Sequence, residues 1–284
     1  MRITNNTLAA FLMTTSSFFY SLQYLDIKIL SPHYPLSLLI FSRSLSSLII
    51  ATCYLMFIKK RNILGMEKKK LMMRGILGGM TSAASFYTMR HLDISTATII
   101  LSMTPIASAL LSVRSGMPWK TTDSVSICLS LSGIVILMVP SKSELLGVAA
   151  GIAATILHAC VNVTLHDIRG EDPVVISAYS MMSCLLFSLP WVCMMRNHDL
   201  MLELNKTPWT MVEWMGMGVI STVAQTLKTM AIQYSETMGV LIFRYMDVFF
   251  SMIWDLSIFH RPFHLYELMS FTLIAGGCVI QIYT

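Results

Sequence analysis

Apolar residues run along this chain in long blocks, parted by short polar stretches, and the blocks are close to equal in length. A helix of about 20 apolar residues spans the roughly 30 Å hydrocarbon core of a bilayer. The pattern predicts helices over 8–29, 35–58, 71–91, 95–114, 122–140, 145–166, 174–195, 210–233, 238–259 and 264–283. Pro35, Pro173 and Pro208 stand at block starts, where a missing backbone donor costs least. Gly75, Gly78 and Gly79 line the third block, and Gly147 and Gly151 form a GxxxG in the sixth. Such small residues let membrane helices approach closely.

Composition strengthens the same reading. The chain is 55% hydrophobic and 12% charged over 284 residues, with a mean hydropathy of +0.67. A soluble domain of this size could not hide so much apolar surface. The expected class is therefore an all-α integral membrane protein with ten transmembrane helices. The first block, after the polar Met1–Thr7, has no small-residue cleavage site and is read as a retained helix. The six cysteines fall in or beside apolar blocks with no CxxC pair, so neither a disulfide framework nor a zinc site is expected.

Charge then orients the bundle. Lys59, Lys60, Arg61, Lys68, Lys69 and Lys70 crowd the loop after helix 2, and Arg74 lies just inside helix 3. Short loops rich in Lys and Arg stay cytoplasmic. With ten helices, both termini are then cytoplasmic too, in a plasma membrane or an endomembrane. Orientation accounts for the basic loop, so no nucleic-acid partner is expected.

Ten evenly spaced helices invite a division into five and five, 1–140 and 141–284. An offset of 143 pairs Ile99 with Ile242, Met103 with Met246 and Ser108 with Ser251. Near the repeat starts an offset of 138 pairs Pro35 with Pro173, Tyr20 with His158, and Tyr24 with Asn162. An odd number of helices per repeat inverts the second half in the membrane. Inverted repeats are a common transporter plan, with substrate held near the midplane.

The stretch FYTMRHLDISTATIILSMTPIASALLS resembles the end of helix 3 and helix 4 of the EamA-type drug/metabolite transporter superfamily. The stretch AQTLKTMAIQYSETMGVLIFRYMDVFFSMIW is similar to its helices 8 and 9. Arg244, Tyr245, Asp247, Val248 and Phe250, in the pattern R-Y-x-D-V-x-F, most resemble the G group of solute carrier family 35. The resemblance implies ten helices in two inverted five-helix repeats. Many relatives end helices 4 and 9 with Gly-Glu, whereas here those places read Arg114-Ser115-Gly116 and Phe259-His260-Arg261.

Charges inside a bilayer are costly and mark function or pairing. Arg43, Lys228, Arg244 and Asp247 all fall inside predicted spans. Arg244, Asp247 and Ser251 share one helix face by their spacing. Two readings stand for Arg244 and Asp247: mutual neutralisation, or a grip on substrate with a coupling proton on Asp247. Lys228 follows Ser221 and Gln225 at helical spacing, and its long stem also allows it to snorkel toward the headgroups. Tyr20, Gln23 and Tyr24 form a stripe on helix 1, as do Thr155, His158 and Asn162 on helix 6. Helix 4 adds Thr98, Ser102, Pro105 and Ser108, and Pro105 frees the carbonyl of Leu101.

Three basic side chains against one acid favour a small anionic or zwitterionic metabolite, since Arg grips carboxylates and phosphates by paired donors. The expected function is a secondary active transporter working by alternating access, in the lipid bilayer, with no cofactor and no metal; association as a homodimer is compatible with this. No GxxxxGK[ST], HExxH or GxSxG run is present, so neither ATP hydrolysis nor an intramembrane enzyme is expected. The alternative is a non-transporting membrane scaffold or regulator with the same fold.

Overall fold

A computed structural model describes residues 5–60, 64–92, 94–105, 107–108, 111, 121–137, 145–166, 168, 170–194, 210–235, 238–260, 269, 272–273, 276–277 and 280. Among these residues there is no strand. The helices are α1 (Asn5–Leu30), α2 (Leu36–Cys53), α3 (Lys68–His91), α4 (Ile94–Leu101), α5 (Thr121–Leu137), α6 (Leu145–His166), α7 (Pro173–Cys193), α8 (Thr210–Tyr234) and α9 (Met246–Ser257). The expected tenth helix over 264–283 lies largely outside the described residues; those described within it are helical. Arg61, Arg114-Ser115-Gly116, Pro208 and Arg261 also lie outside them.

Local chemistry sets several ends. Pro35 precedes α2 in an extended conformation, φ −60° and ψ 140°, and needs no amide partner there. Asp172 caps α7: its Oδ1 accepts from the Val174 amide at 2.9 Å, and Pro173 fills the first helical position. The last turn of α2 widens into a π-helix, Tyr54–Lys59, and stops at left-handed Lys60.

Two expected helices are interrupted. After Leu101 the chain turns at Ser102 and Met103, then resumes helical geometry at Thr104 and Pro105. Proline has no N–H to return to the Leu101 carbonyl, which instead accepts from Thr104 Oγ1 at 2.5 Å. The Ile100 carbonyl takes the Met103 amide at 3.2 Å and Thr155 Oγ1 of α6 at 2.9 Å. The second interruption precedes α9, where Met238–Tyr245 is 3₁₀-helical and α-geometry begins at Met246. Ser102 and Tyr245 stand 143 positions apart, the offset that aligns the two halves.

Polarity is inverted relative to a water-soluble protein. Phe11, Phe57, Ile58, Leu146, Trp191 and Met215 are exposed, while Arg43, Arg74, Lys228, Arg244 and Asp247 are buried. That is the distribution expected of a chain solvated by lipid, with its charges facing the bundle interior. Among the described helices, Leu36–Lys59, Leu145–Leu165 and Pro173–Cys193 are long and apolar enough by composition to cross a membrane.

The packing repeats itself. α1 packs on α8 and α9, α6 on α3 and α4, α3 on α7, α8 on α2, α2 on α7, and α4 on α9. Exchanging α1–α4 with α6–α9 maps this set of contacts onto itself. Two glycines hold matching places within it. A Cβ on Gly75 of α3 would lie 2.8 Å from the Tyr179 carbonyl oxygen of α7. A Cβ on Gly218 of α8 would collide with Ser46 and lie 2.9 Å from the Ser47 amide of α2. These residues, too, are 143 positions apart. Backbone cannot yield as a side chain tip can, so Gly75→Val and Gly218→Val should each destabilise by roughly 1–3 kcal/mol. The readout is the melting temperature of detergent-purified protein; unchanged values for both would contradict this packing.

Candidate functional site

A small cavity opens where α1, α2, α3, α6 and α8 converge. α1 contributes Tyr20 and, one turn on along the same face, Gln23 and Tyr24. α2 contributes Arg43. α3 contributes Arg74, Gly78, Thr81, Ser82, Ser85 and Phe86; α6 contributes His158 and Val161; α8 contributes Gln225 and Lys228.

Arg43 is 2% exposed. Its Nη1 donates to Ser221 Oγ at 3.0 Å, its Nη2 to Cys184 Sγ at 3.7 Å, and its guanidinium lies 4.7 Å from the centre of the Phe86 ring. Arg74 is equally buried and donates from Nη1 to Ser180 Oγ at 2.5 Å. Neither guanidinium has a carboxylate partner among the described residues, and each keeps a buried Nε with no hydrogen-bond partner. The Gln23 carbonyl oxygen, Ser85 Oγ and His158 Nδ1 are likewise buried and unpartnered among the described residues. Unpaired polar atoms around a cavity are groups that a polar ligand can satisfy.

Lys228 does not snorkel. It is 3% exposed and lines the cavity. Arg244 and Asp247 sit behind the wall: Nε of Arg244 is 3.2 Å from Asp247 Oδ2, with side-chain exposures of 2% and 5%. Arg244 also donates to Tyr24 Oη at 3.4 Å, and its guanidinium lies 5.3 Å from the centre of the Tyr20 ring. The pair thus bears on the site through two tyrosines. Ser251 is buried on the same helix.

Two further expected site residues, Asn162 and Ser102, lie off the cavity. Asn162 donates from Nδ2 to Ser108 Oγ at 3.2 Å, tying α6 to the chain after α4. Ser102 returns its hydroxyl to the Ile99 carbonyl at 2.6 Å. Arg74 follows the lysine run and, by position, reads as part of it rather than as a site residue. The missed signal is a polar stripe: Arg74, Gly78, Thr81 and Ser85 recur at helical spacing, and all four line the cavity.

One end of the bundle is fastened. Lys59 Nζ meets Asp172 Oδ2 at 2.6 Å. Glu171 Oε1 accepts the amides of Met66 and Glu67, both at 2.6 Å. Gly65 makes that approach with φ 62°, and a Cβ there would lie 3.0 Å from Glu171 Oε2. Tyr179 Oη donates to the Leu64 carbonyl at 2.9 Å, and Gln233 Nε2 to the Glu171 carbonyl at 2.9 Å. The ends of α2, α7 and α8 and the start of α3 are thereby joined.

Comparison with known proteins gives a consistent picture. The model of the EamA-like transporter family matches residues 7–139 and again 143–283. An uncharacterised transporter of Helicobacter pylori strain J99 is 32% identical over 104 residues, which cover 36% of this chain and 35% of that protein. A probable transport protein of Saccharomyces cerevisiae is 21% identical over 220 residues, covering 68% of this chain and 62% of its own length. The chain thus spans about a third of the first relative and under two thirds of the second. A solved crystal structure shares the fold, with a TM-score of 0.75 at 12% identity, covering 98% of this chain and 97% of its own.

Proposed function

Because this chain belongs to the EamA-like transporter family, we propose that it is a secondary active transporter carrying a small organic anion or zwitterion by alternating access. Multi-pass membrane transport, not conversion of a substrate, is the role the family and its relatives indicate. The observation that carries the substrate reading is the buried cavity bearing Arg43, Arg74 and Lys228 with no carboxylate among its lining residues. A low-dielectric site of that charge draws an anion and orients it by paired donors.

We read the scaffold as ten helices in two inverted repeats, 1–140 and 141–284. The double family match, the self-mapping packing and the two interruptions 143 positions apart all support this. The basic loop places the Lys59 end in the cytoplasm, together with both termini. On that topology the fastened end is the cytoplasmic one, and the described conformation is shut toward it. The R-Y-x-D-V-x-F run favours kinship with the G group of solute carrier family 35. Asp247 remains a candidate to carry a coupling proton.

The test is flux. Protein reconstituted in proteoliposomes should take up a labelled organic anion, driven by an imposed gradient. Arg43→Ala should fold and purify as a monodisperse species yet lose at least tenfold in uptake, because its packing partners are neutral and its charge faces the cavity. Uptake at the wild-type rate would remove Arg43 from the site.

A further inference from the structure

Resting on the transporter reading, the arrangement of charge in the cavity narrows the substrate further. Arg74 is anchored on Ser180 and Arg43 on Cys184. These two anchors are four residues apart on α7, so they share one face and differ by about 6 Å in height. The guanidinium groups are therefore anchored on adjoining turns of α7 beside the same cavity, each with an unpartnered Nε. Phe86 lies against Arg43 and limits its movement. Lys228 adds an amine to the lining. Asp247 is engaged with Arg244 and does not line the cavity.

We infer that the substrate carries at least two negative charges on oxygen, and that Arg43 and Arg74 hold one oxyanion head, a carboxylate or a phosphoryl group, between them. The charge count decides against the other ligands. A zwitterion brings no net charge and leaves both guanidinium charges uncompensated. A monoanion leaves one, and a dianion leaves none. Buried charge without a counter-charge is strongly destabilising, so affinity should rise steeply from zwitterion to dianion. Two planar forks on adjoining turns also offer more donors than one carboxylate oxygen can use, which favours a head shared between them.

The experiment is a thermal-stability series on the purified full chain at pH 7.5, using malonate, succinate, glutarate, inorganic phosphate, glycerol 3-phosphate, acetate and alanine as probes. At least one dianion should raise the melting temperature saturably, with half-saturation at least tenfold below that of acetate or alanine. Response to the dicarboxylates alone identifies a carboxylate head, and response to phosphate and glycerol 3-phosphate alone a phosphoryl head. Stabilisation by no dianion, or equal stabilisation by alanine, overturns the inference. Arg43→Lys and Arg74→Lys keep the charge and lose the fork. Each should weaken dianion half-saturation at least tenfold without lowering the ligand-free melting temperature. Should either bind the dianion as the wild type does, the shared head is wrong. Flux separates this inference from the reading beneath it. Uptake of alanine but no dianion leaves the transporter standing and ends the inference, whereas dianion binding without any flux does the reverse.

Discussion

Arg244→Leu and Asp247→Leu, made singly, should each destabilise the protein by about 3–5 kcal/mol, while the double variant should fold nearly as the wild type does and still fail to transport. The pair is 3.2 Å apart and almost wholly buried. Removing one partner strands the other charge in the bundle; removing both strands neither. Stability should therefore return in the double variant. Uptake should not, because Arg244 does more than neutralise Asp247. Its guanidinium bonds Tyr24 Oη and lies against the Tyr20 ring, and both tyrosines line the cavity. Leucine supplies neither contact, so uptake should stay at least tenfold below wild type. Melting temperature and initial uptake rate, measured on the same preparations, separate the two effects. Near-normal, gradient-driven uptake by the double variant would reduce the pair to a structural one.

The second large effect is expected at the fastened end. A hydrogen bond to a charged group contributes about 1.5–3 kcal/mol. Glu171→Ala deletes the acceptor of two backbone amides, and Asp172→Asn removes the charge facing Lys59 while sparing an oxygen for the Val174 cap. The combined loss should shift the balance between shut and open forms by roughly a hundredfold, since about 1.4 kcal/mol is tenfold. Cys184 reports on it, because it is 1% exposed and sits beside Arg43. In a background with the other five cysteines changed to alanine, a charged maleimide added from the Lys59 side should label the double variant at least tenfold faster than the parent. Equal labelling would place the barrier elsewhere.

Much of this was legible along the chain because a bilayer imposes one rule on every span. The blocks expected at 145–166 and 210–233 match Leu145–His166 and Thr210–Tyr234 almost residue for residue, since apolar length alone sets such ends. Pro105 announced a freed carbonyl, and the structure shows what answers it. The interruptions themselves were not visible: a 3₁₀ stretch such as Met238–Tyr245 has the same apolar content as an α-helix, and packing decides between them. Arg74 was hidden for another reason. Three lysines before it fit a cytoplasmic loop, and only its recurrence with Gly78, Thr81 and Ser85 at helical spacing marks the next cation, one helical turn on, as facing inward. Arg43, Lys228, Tyr20, His158 and Gln225 were found because a polar residue in an apolar block is conspicuous. Which of the polar residues share a cavity is tertiary information, and Asn162 and Ser102 show the limit: Asn162 reaches Ser108, and Ser102 bonds the Ile99 carbonyl of its own turn.

The cavity's polarity also bears on how the chain enters the membrane. Segments meet the bilayer in order, and a Lys or Arg at the centre of a helix adds roughly 2.5–3.5 kcal/mol to the cost of insertion. Among the described helices, α2, α6 and α7 are long and apolar enough by composition to cross a membrane. The helices that bring most of the polar lining, α1, α3 and α8, are not in that group. Yet α1 and α3 flank α2 in sequence, and α8 follows α7. Each reluctant segment is thus adjacent in synthesis to one that inserts readily, so the residues that would hold a solute enter the bilayer in the company of a strongly apolar neighbour.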